Sequence, residues 1–194
     1  MSKIMAVEGI CCSGKSTLVC SLGHTGMGVV KEYGAYTKGQ FPKLANTQEE
    51  LIENTRFFIE LERKRHKDSL VAVRHHHVLV LDRSFITCCA FDYAAFAETK
   101  LSSHQSLIEG MWREEIWKLS PDLMVILEVD EANFHQRLKK SGKVLNQTLC
   151  DPKFNRRVNQ YLRNVPTHWG IKVVRINTDR LDSSQVLEQV LSIL

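Results

Sequence analysis

Apolar positions along the chain follow two alternating rhythms. Short runs rich in β-branched and aliphatic residues, Ile4 to Val7, Val29 to Tyr33, Val78 to Leu81, Leu123 to Val129 and Lys172 to Ile176, have strand length and are bounded by turn residues. Val78 to Leu81 is apolar at every position, the pattern of a strand covered on both faces. Between these runs lie segments of helical character. Lys15 to Leu22 stops before Gly23, and Thr47-Gln48-Glu49-Glu50 has capping-box spacing and opens a helix to about Asp68. Further helices are predicted from Phe85 to about Ala97, from Ser106 to Leu119 and around Phe134 to Lys140. Asp151-Pro152 starts another that runs to about Asn164, and Asp182-Ser183-Ser184-Gln185 caps a closing helix. Strands that alternate with helices predict a single α/β domain over residues 1–194. It is built on a five-stranded parallel sheet with helices on both faces and binds ligands at the carboxyl ends of its strands.

Composition narrows the class without changing this picture. With 194 residues, 43% hydrophobic, 25% charged, 10 Gly and 4 Pro, the chain can bury one sizeable core, and disordered, collagen-like and low-complexity classes are excluded. Apolar runs such as Leu123 to Leu127 fall far below the roughly 20 residues of a membrane helix. The six cysteines include the adjacent pairs Cys11-Cys12 and Cys88-Cys89 rather than Cys-x-x-Cys spacing. They read as free thiols of a reducing compartment, and with no secretory pattern before Glu8 and Gly9 the expected location is cytoplasmic.

The most specific motif is Gly9-Ile10-Cys11-Cys12-Ser13-Gly14-Lys15-Ser16, which fits Gly-x4-Gly-Lys-Ser between a strand and a helix. In such a loop, glycines let backbone N–H groups converge on phosphate oxygens and the helix N-terminus adds partial positive charge. Gly9, Cys12, Ser13, Gly14, Lys15, Ser16 and Thr17 are therefore the expected ATP-binding residues. Lys15 reaches the β and γ phosphates, and Ser16 helps to hold Mg²⁺. Cys12, close to a helix N-terminus, is also a candidate for oxidative or alkylating inactivation.

A phosphate loop does not specify the reaction. Neither Asn-Lys-x-Asp nor Asp-x-x-Gly occurs in the chain, which argues against a GTPase, and 194 residues are few for a motor ATPase. A small phosphotransferase remains. Leu81-Asp82-Arg83-Ser84 brings an aspartate and an arginine to the carboxyl edge of the sheet. There Asp82 is a second candidate Mg²⁺ ligand and Arg83 a phosphate clamp. Glu32, in Lys31-Glu32-Tyr33-Gly34-Ala35-Tyr36, is expected to face the same crevice, as a base toward an acceptor hydroxyl or as an acceptor-positioning group. Tyr33, Tyr36, Phe41, Phe57 and Phe58 divide between core packing and stacking on a flat acceptor. His75-His76-His77 reads as a solvated turn, and Trp112 and Trp117 as packing residues.

Glu8-Gly9 with the phosphate loop, Asp82-Arg83-Ser84, and Pro121-Asp122 leading into Leu123 to Val129 and then Arg137 together resemble the thymidylate kinase and deoxynucleoside kinase superfamily. That resemblance implies a three-layer P-loop kinase fold, Mg-ATP as donor, a nucleoside or nucleoside monophosphate as acceptor and a mobile basic lid. It further implies that Arg63 binds an acceptor phosphate, with Glu32, Tyr33 and Arg83 beside it in the acceptor site. Arg137 opens a lid over about residues 137–157 that supplies cations to the transferring phosphoryl group, and Asn177 and Asp179 approach the adenine. Two departures leave the acceptor open. Lys31-Glu32-Tyr33-Gly34-Ala35 stands where thymidylate kinases carry an Arg-Glu-Pro-Gly-Gly type segment, and Asp82-Arg83-Ser84 where deoxynucleoside kinases carry Glu-Arg-Ser.

The charge distribution agrees with a basic lid. From Arg137 to Arg163 eight Lys or Arg face one acid, Asp151; against the net +4 of the chain, this +7 segment leaves −3 on the rest. No basic stripe interleaved with aromatics lies outside it, so a nucleic-acid partner is not expected. The expected function is an ATP-dependent, Mg²⁺-requiring kinase of nucleoside or nucleoside-monophosphate type, with a homodimer left open. The alternatives are a kinase of the same fold acting on an antibiotic or metabolite hydroxyl, and a non-catalytic ATP-binding module.

Overall fold

A computed structural model describes residues 2–37, 40–97, 99–115, 118–142 and 144–194. In chain order its elements are β1 (Lys3–Glu8), α1 (Lys15–His24), β2 (Gly28–Val30), α2 (Gly34–Thr37), α3 (Gln48–Ala72), β3 (Val78–Asp82), α4 (Phe85–Phe96), a 3-10 turn over Lys100–His104, and α5 (Gln105–Glu114). Then follow β4 (Leu123–Glu128), α6 (Glu131–Ser141), α7 (Gln147–Cys150), α8 (Pro152–Arg163), α9 (Val165–Trp169), β5 (Lys172–Asn177) and α10 (Ser183–Leu191). The five strands form one parallel sheet, as the alternation predicts, and their order is β2-β3-β1-β4-β5.

The sheet is buried on both faces because alternate residues of each central strand feed separate cores. Met5, Val7, Val125 and Leu127 pack with Leu18, Leu22, Val186 and Val190 of α1 and α10. On the other face Met124 and Ile126 pack with Phe85 and Ile86 of α4, Trp112 of α5 and Val158 and Tyr161 of α8. Trp112 is fully buried, as expected of a packing residue, while Trp117 lies outside the described residues. Among the described residues no helix is long and apolar enough to cross a membrane.

The expected ends of β2 and α5 and the capping pattern of α3 differ, and α3 runs on to Ala72 rather than to about Asp68. β2 ends at Val30 rather than Tyr33, because the Tyr33 ring leaves the strand line to pack in the core and its hydroxyl donates to Glu62 Oε2 at 2.8 Å. α5 ends at Glu114 rather than Leu119. Glu115 is already extended, and the Leu119 N–H donates to Glu62 Oε1 at 3.0 Å. α3 starts where Thr47 accepts from Glu50 N, but Glu50 returns its own bond to the N–H of Asn46 rather than to that of Thr47.

Candidate active site

The chain after β1 wraps into the phosphate loop through backbone conformations that few residues tolerate. Gly9 has φ +135° and lies so close to β4 that a Cβ there would sit 2.4 Å from the Leu127 carbonyl oxygen. Gly14 follows at φ +99° and Cys12 at φ +59°. Gly9→Ala is expected to lower Tm by roughly 2–10 °C from backbone strain alone and to abolish ATP binding, checked by calorimetry with and without Mg-ATP.

Gly14 is the N-cap of α1 and offers no side chain to its first turn, whereas Thr47, Ser84, Asp130, Asp151 and Asp182 cap α3, α4, α6, α8 and α10 with side-chain oxygens. The donors at the start of α1 are thus left for a ligand, the arrangement that binds phosphate. Ser13 Oγ lines the same space, buried and with no hydrogen-bond partner among the described residues. Lys15 is buried too, and its Nζ donates to the Ile10 carbonyl at 2.6 Å. Burial and then the nearby Arg83 guanidinium pull its pKa down to about 7.

A cleft of about 690 Å³ runs along the carboxyl edge of the sheet, with Glu32 and Arg83 on the β2–β3 side of the loop and Arg137, Lys140, Thr178 and Asp182 on the β4–β5 side. That volume suits a nucleotide-sized ligand. On the first side Arg83 Nε stands 3.5 Å from Glu32 Oε2, while its Nη1 lies 3.3 Å from the Gly9 carbonyl oxygen and 3.4 Å from Thr87 Oγ1. Burial and then the charge of Glu32 push the Asp82 carboxyl above its usual range. Lys15, Glu32 and Arg83 thus line one cleft, while Asp82, at the end of β3 beside β1, is not among its lining residues.

A buried network positions this side, and sequence reasoning missed it. Arg65, inaccessible to solvent, pairs with Glu62 at 2.7 Å and donates to the carbonyl oxygens of Lys31 at 3.0 Å and Arg83 at 2.6 Å. It thus ties the turn that carries Glu32 to the turn that carries Arg83, whose φ is +66°. Glu8, also fully buried, accepts from the Ser84 N–H and Oγ at 2.7 Å each and from the Thr87 hydroxyl, which fixes the start of α4 against β1. Burial raises the Glu8 pKa.

Two acceptor candidates are placed elsewhere. Arg63 does not line the cleft. Its guanidinium is taken up by Glu60 at 2.7 Å and Glu115 at 2.9 Å, because on α3 the inward positions are 62 and 65 and residue 63 falls outside that stripe. Tyr33 is a core residue, only 4% exposed, with the Arg65 guanidinium 4.3 Å above its ring. Of the other aromatic candidates, Tyr36 donates to Asp68 Oδ2 at 2.6 Å. Phe41 is half exposed and stacks on Phe58, with centroids 6.0 Å apart.

On the other side of the loop, Arg137 donates to Thr178 Oγ1 at 2.9 Å and to the carbonyl oxygens of Thr178 and Cys12. It belongs to α6, docked on the phosphate loop, rather than to a free strap. Neither Asn177 nor Asp179 lines the cleft. Asn177 Oδ1 accepts from the Asp179 N–H at 2.8 Å, and Asp179 Oδ1 accepts from the Asp130 N–H at 3.0 Å, so both shape the loop that presents Thr178. The alternation buried, exposed, buried over Ile176, Asn177 and Thr178 is the signal that points to Thr178. Residues 152–157 of the expected lid start α8, whose Phe154, Asn155 and Val158 are buried. In the rest of the expected lid, Ser141, Gly142, Val144, Asn146, Gln147 and Thr148 are exposed, Leu145 and Leu149 are half-buried against the core, and Lys143 lies outside the described residues.

The Mg²⁺ expectation fits the donors available. Ser16 Oγ, exposed at the cleft, and the Asp82 carboxylate are hard oxygen ligands. One or two such groups plus substrate phosphates are what Mg²⁺ takes, since it keeps several waters. No cluster of three or more His, Cys, Asp or Glu suited to a metal occurs among the described residues, His75-His76-His77 included.

No protein-family model matches the chain, and no curated protein does. Solved structures do match. Thymidylate kinase from Candida albicans aligns at TM-score 0.72 and 16% identity over 99% of this chain and 90% of that one. Deoxyadenosine kinase from M. mycoides with bound dCTP aligns at 0.64 and 16% over 98% and 97%. Thymidylate kinase from Ehrlichia chaffeensis aligns at 0.65 and 17% over 99% and 98%. The chain therefore has the three-layer α/β P-loop fold of these nucleotide kinases.

Proposed function

We propose that this protein is an ATP-dependent kinase that moves the γ-phosphoryl group of Mg-ATP to a nucleoside or nucleoside monophosphate. The observation that carries this reading is one continuous cleft holding a phosphate loop, Arg83 and the Glu32 carboxylate. The fold neighbours, kinases named for thymidylate and deoxyadenosine, favour acceptors of that class. Backbone N–H groups from Gly9 to Thr17 hold the triphosphate, Lys15 turns from Ile10 to the β and γ phosphates, and Thr178 and Arg137 border the nucleoside end of ATP. Ser16 and Asp82 would hold Mg²⁺, which would supply neutralising charge to the phosphates. Glu32 takes the proton of the acceptor hydroxyl as the new O–P bond forms, while the bond from the γ phosphorus to the bridging oxygen breaks and its electrons leave with ADP. Arg83 and Lys140 lie where negative charge develops. Lys140, Ser141 and Leu145, which line the cleft, help to exclude water, the competing acceptor.

Release of ADP from Mg-ATP, measured against nucleosides, their monophosphates and hydroxylated antibiotics, tests the reading. Stimulation by a nucleoside or its monophosphate is expected. Stimulation only by a hydroxylated non-nucleoside moves the protein to the metabolite-kinase class. ATP binding without stimulation by any acceptor makes it a non-catalytic module.

A further inference from the structure

We infer that the acceptor is an uncharged nucleoside hydroxyl rather than a nucleoside monophosphate, an assignment that rests on the kinase reading above. A monophosphate acceptor brings about two negative charges next to a γ phosphate that is itself anionic, so it needs a cation of its own on the acceptor side. The cations that line the cleft among the described residues are Lys15, Arg83, Arg137 and Lys140. Lys15 sits in the phosphate loop, and Arg137 and Lys140 come from α6 on the β4–β5 side. Arg83 alone of these four stands on the side of Glu32.

Arg83 is also already committed. Its Nε pairs with Glu32 at 3.5 Å, and its Nη1 is directed to the Gly9 carbonyl oxygen and to Thr87 Oγ1. Arg65, the next cation inward, is fully buried and bound to Glu62 and to three backbone carbonyls, so no acceptor reaches it. Arg63, the residue a phosphorylated acceptor would call for, is bound to Glu60 and Glu115 away from the cleft. Among the described residues that line the cleft on this side, the one cation, Arg83, is thus already paired with the one carboxylate, Glu32. Such a subsite offers a phosphate dianion no free cation, whereas a neutral hydroxyl gains a hydrogen-bond acceptor and proton acceptor in Glu32.

The test uses the full chain with Mg-ATP. It compares each ribo- and 2′-deoxyribonucleoside with its own 5′-monophosphate, with products separated by chromatography. The preferred nucleoside is expected to exceed its monophosphate in kcat/KM by about a hundredfold or more. Glu32→Gln is expected to lower kcat for the nucleoside by about 10²- to 10⁴-fold with KM little changed. Arg63→Ala, which removes the two ion pairs to Glu60 and Glu115 away from the cleft, changes kcat/KM less than about fivefold. Equal or better turnover of the monophosphate, or a large rise of its KM in Arg63→Ala, overturns the inference and leaves the kinase reading standing. Turnover of neither acceptor class overturns both.

Discussion

Lys15→Met is expected to lose turnover by about a hundred- to a thousandfold, yet to melt at a higher temperature than the wild type at neutral pH. The two effects share one cause. Lys15 is expected to serve a triphosphate, and in the ligand-free protein the Ile10 carbonyl at 2.6 Å and the acidic groups of Cys11, Asp82 and Glu8 only partly offset burial beside Arg83. Its pKa falls from 10.5 to about 7. The unfolded chain keeps Lys15 protonated up to about pH 10.5, while the folded protein releases that proton above about pH 7. Between those values the folded state binds fewer protons, so stability rises with pH. Below about pH 7 the full penalty of the buried charge is present. Methionine keeps the aliphatic packing and carries no charge. The Tm advantage of the variant should therefore be largest near pH 6 and vanish toward pH 10.5. Calorimetric scans across that range check it, and an offset that does not change with pH would show that Lys15 stays protonated in the fold.

The same proton reports ligand binding. Phosphate oxygens are expected to replace the Ile10 carbonyl as the partner of Lys15 and to favour its charged form, so binding of Mg-ATP at pH 8 should take up a proton in the wild type and not in Lys15→Met. Titration calorimetry in two buffers of different ionisation enthalpy measures that uptake directly. Turnover and stability thus oppose each other at this residue: the loop holds a lysine that its own fold disfavours.

Local pattern made the sheet and the phosphate loop legible. Strand runs bounded by turn residues, and Gly-x4-Gly-Lys-Ser between a strand and a helix, each depend on neighbours in sequence; the loop and four of the strands appear where the pattern puts them, and β2 covers only the start of its run. The acceptor side depends on contacts between distant segments, and there the residues mislead. Glu62, Arg63, Lys64 and Arg65 form one charged run, and charge alone does not say which side chain turns inward. The stripe Leu51, Thr55, Ile59, Glu62, Arg65 and Ser69, spaced three and four apart, does say so, and all six are buried. Continued from Leu51, that stripe selects Arg65 over Arg63. Tyr33 reads as the end of a strand because its residue type favours one, but its hydroxyl finds Glu62 across 29 positions of sequence, a partner no local rule supplies.

Arg65→Met is expected to be the most destabilising of these substitutions, by about 3–5 kcal/mol, because it leaves the Glu62 carboxylate buried without its counter-charge. In a domain of this size that lowers Tm by roughly 6–20 °C. Glu62 would keep the Tyr33 hydroxyl at 2.8 Å and the Leu119 N–H at 3.0 Å, two neutral donors that stabilise a carboxylate far less than a guanidinium does. Adding Glu62→Gln removes the stranded charge and retains an acceptor for those donors, so the double variant should recover a large part of the lost stability. It should not recover catalysis. Arg65 bonds to the backbone at Lys31 and at Arg83, one residue from Glu32 and at Arg83 itself, and it holds Arg83 in a left-handed conformation that a non-glycine residue adopts only under constraint. Without that tie the Glu32 carboxylate and the Arg83 guanidinium lose their fixed spacing, and a displacement of about 1 Å costs about a hundredfold in kcat. ATP affinity at the phosphate loop, built by β1 and α1, should change only a few-fold. A folded double variant with wild-type kcat would confine Arg65 to stability; a fall in kcat with ATP affinity kept makes it the residue that sets the geometry of transfer.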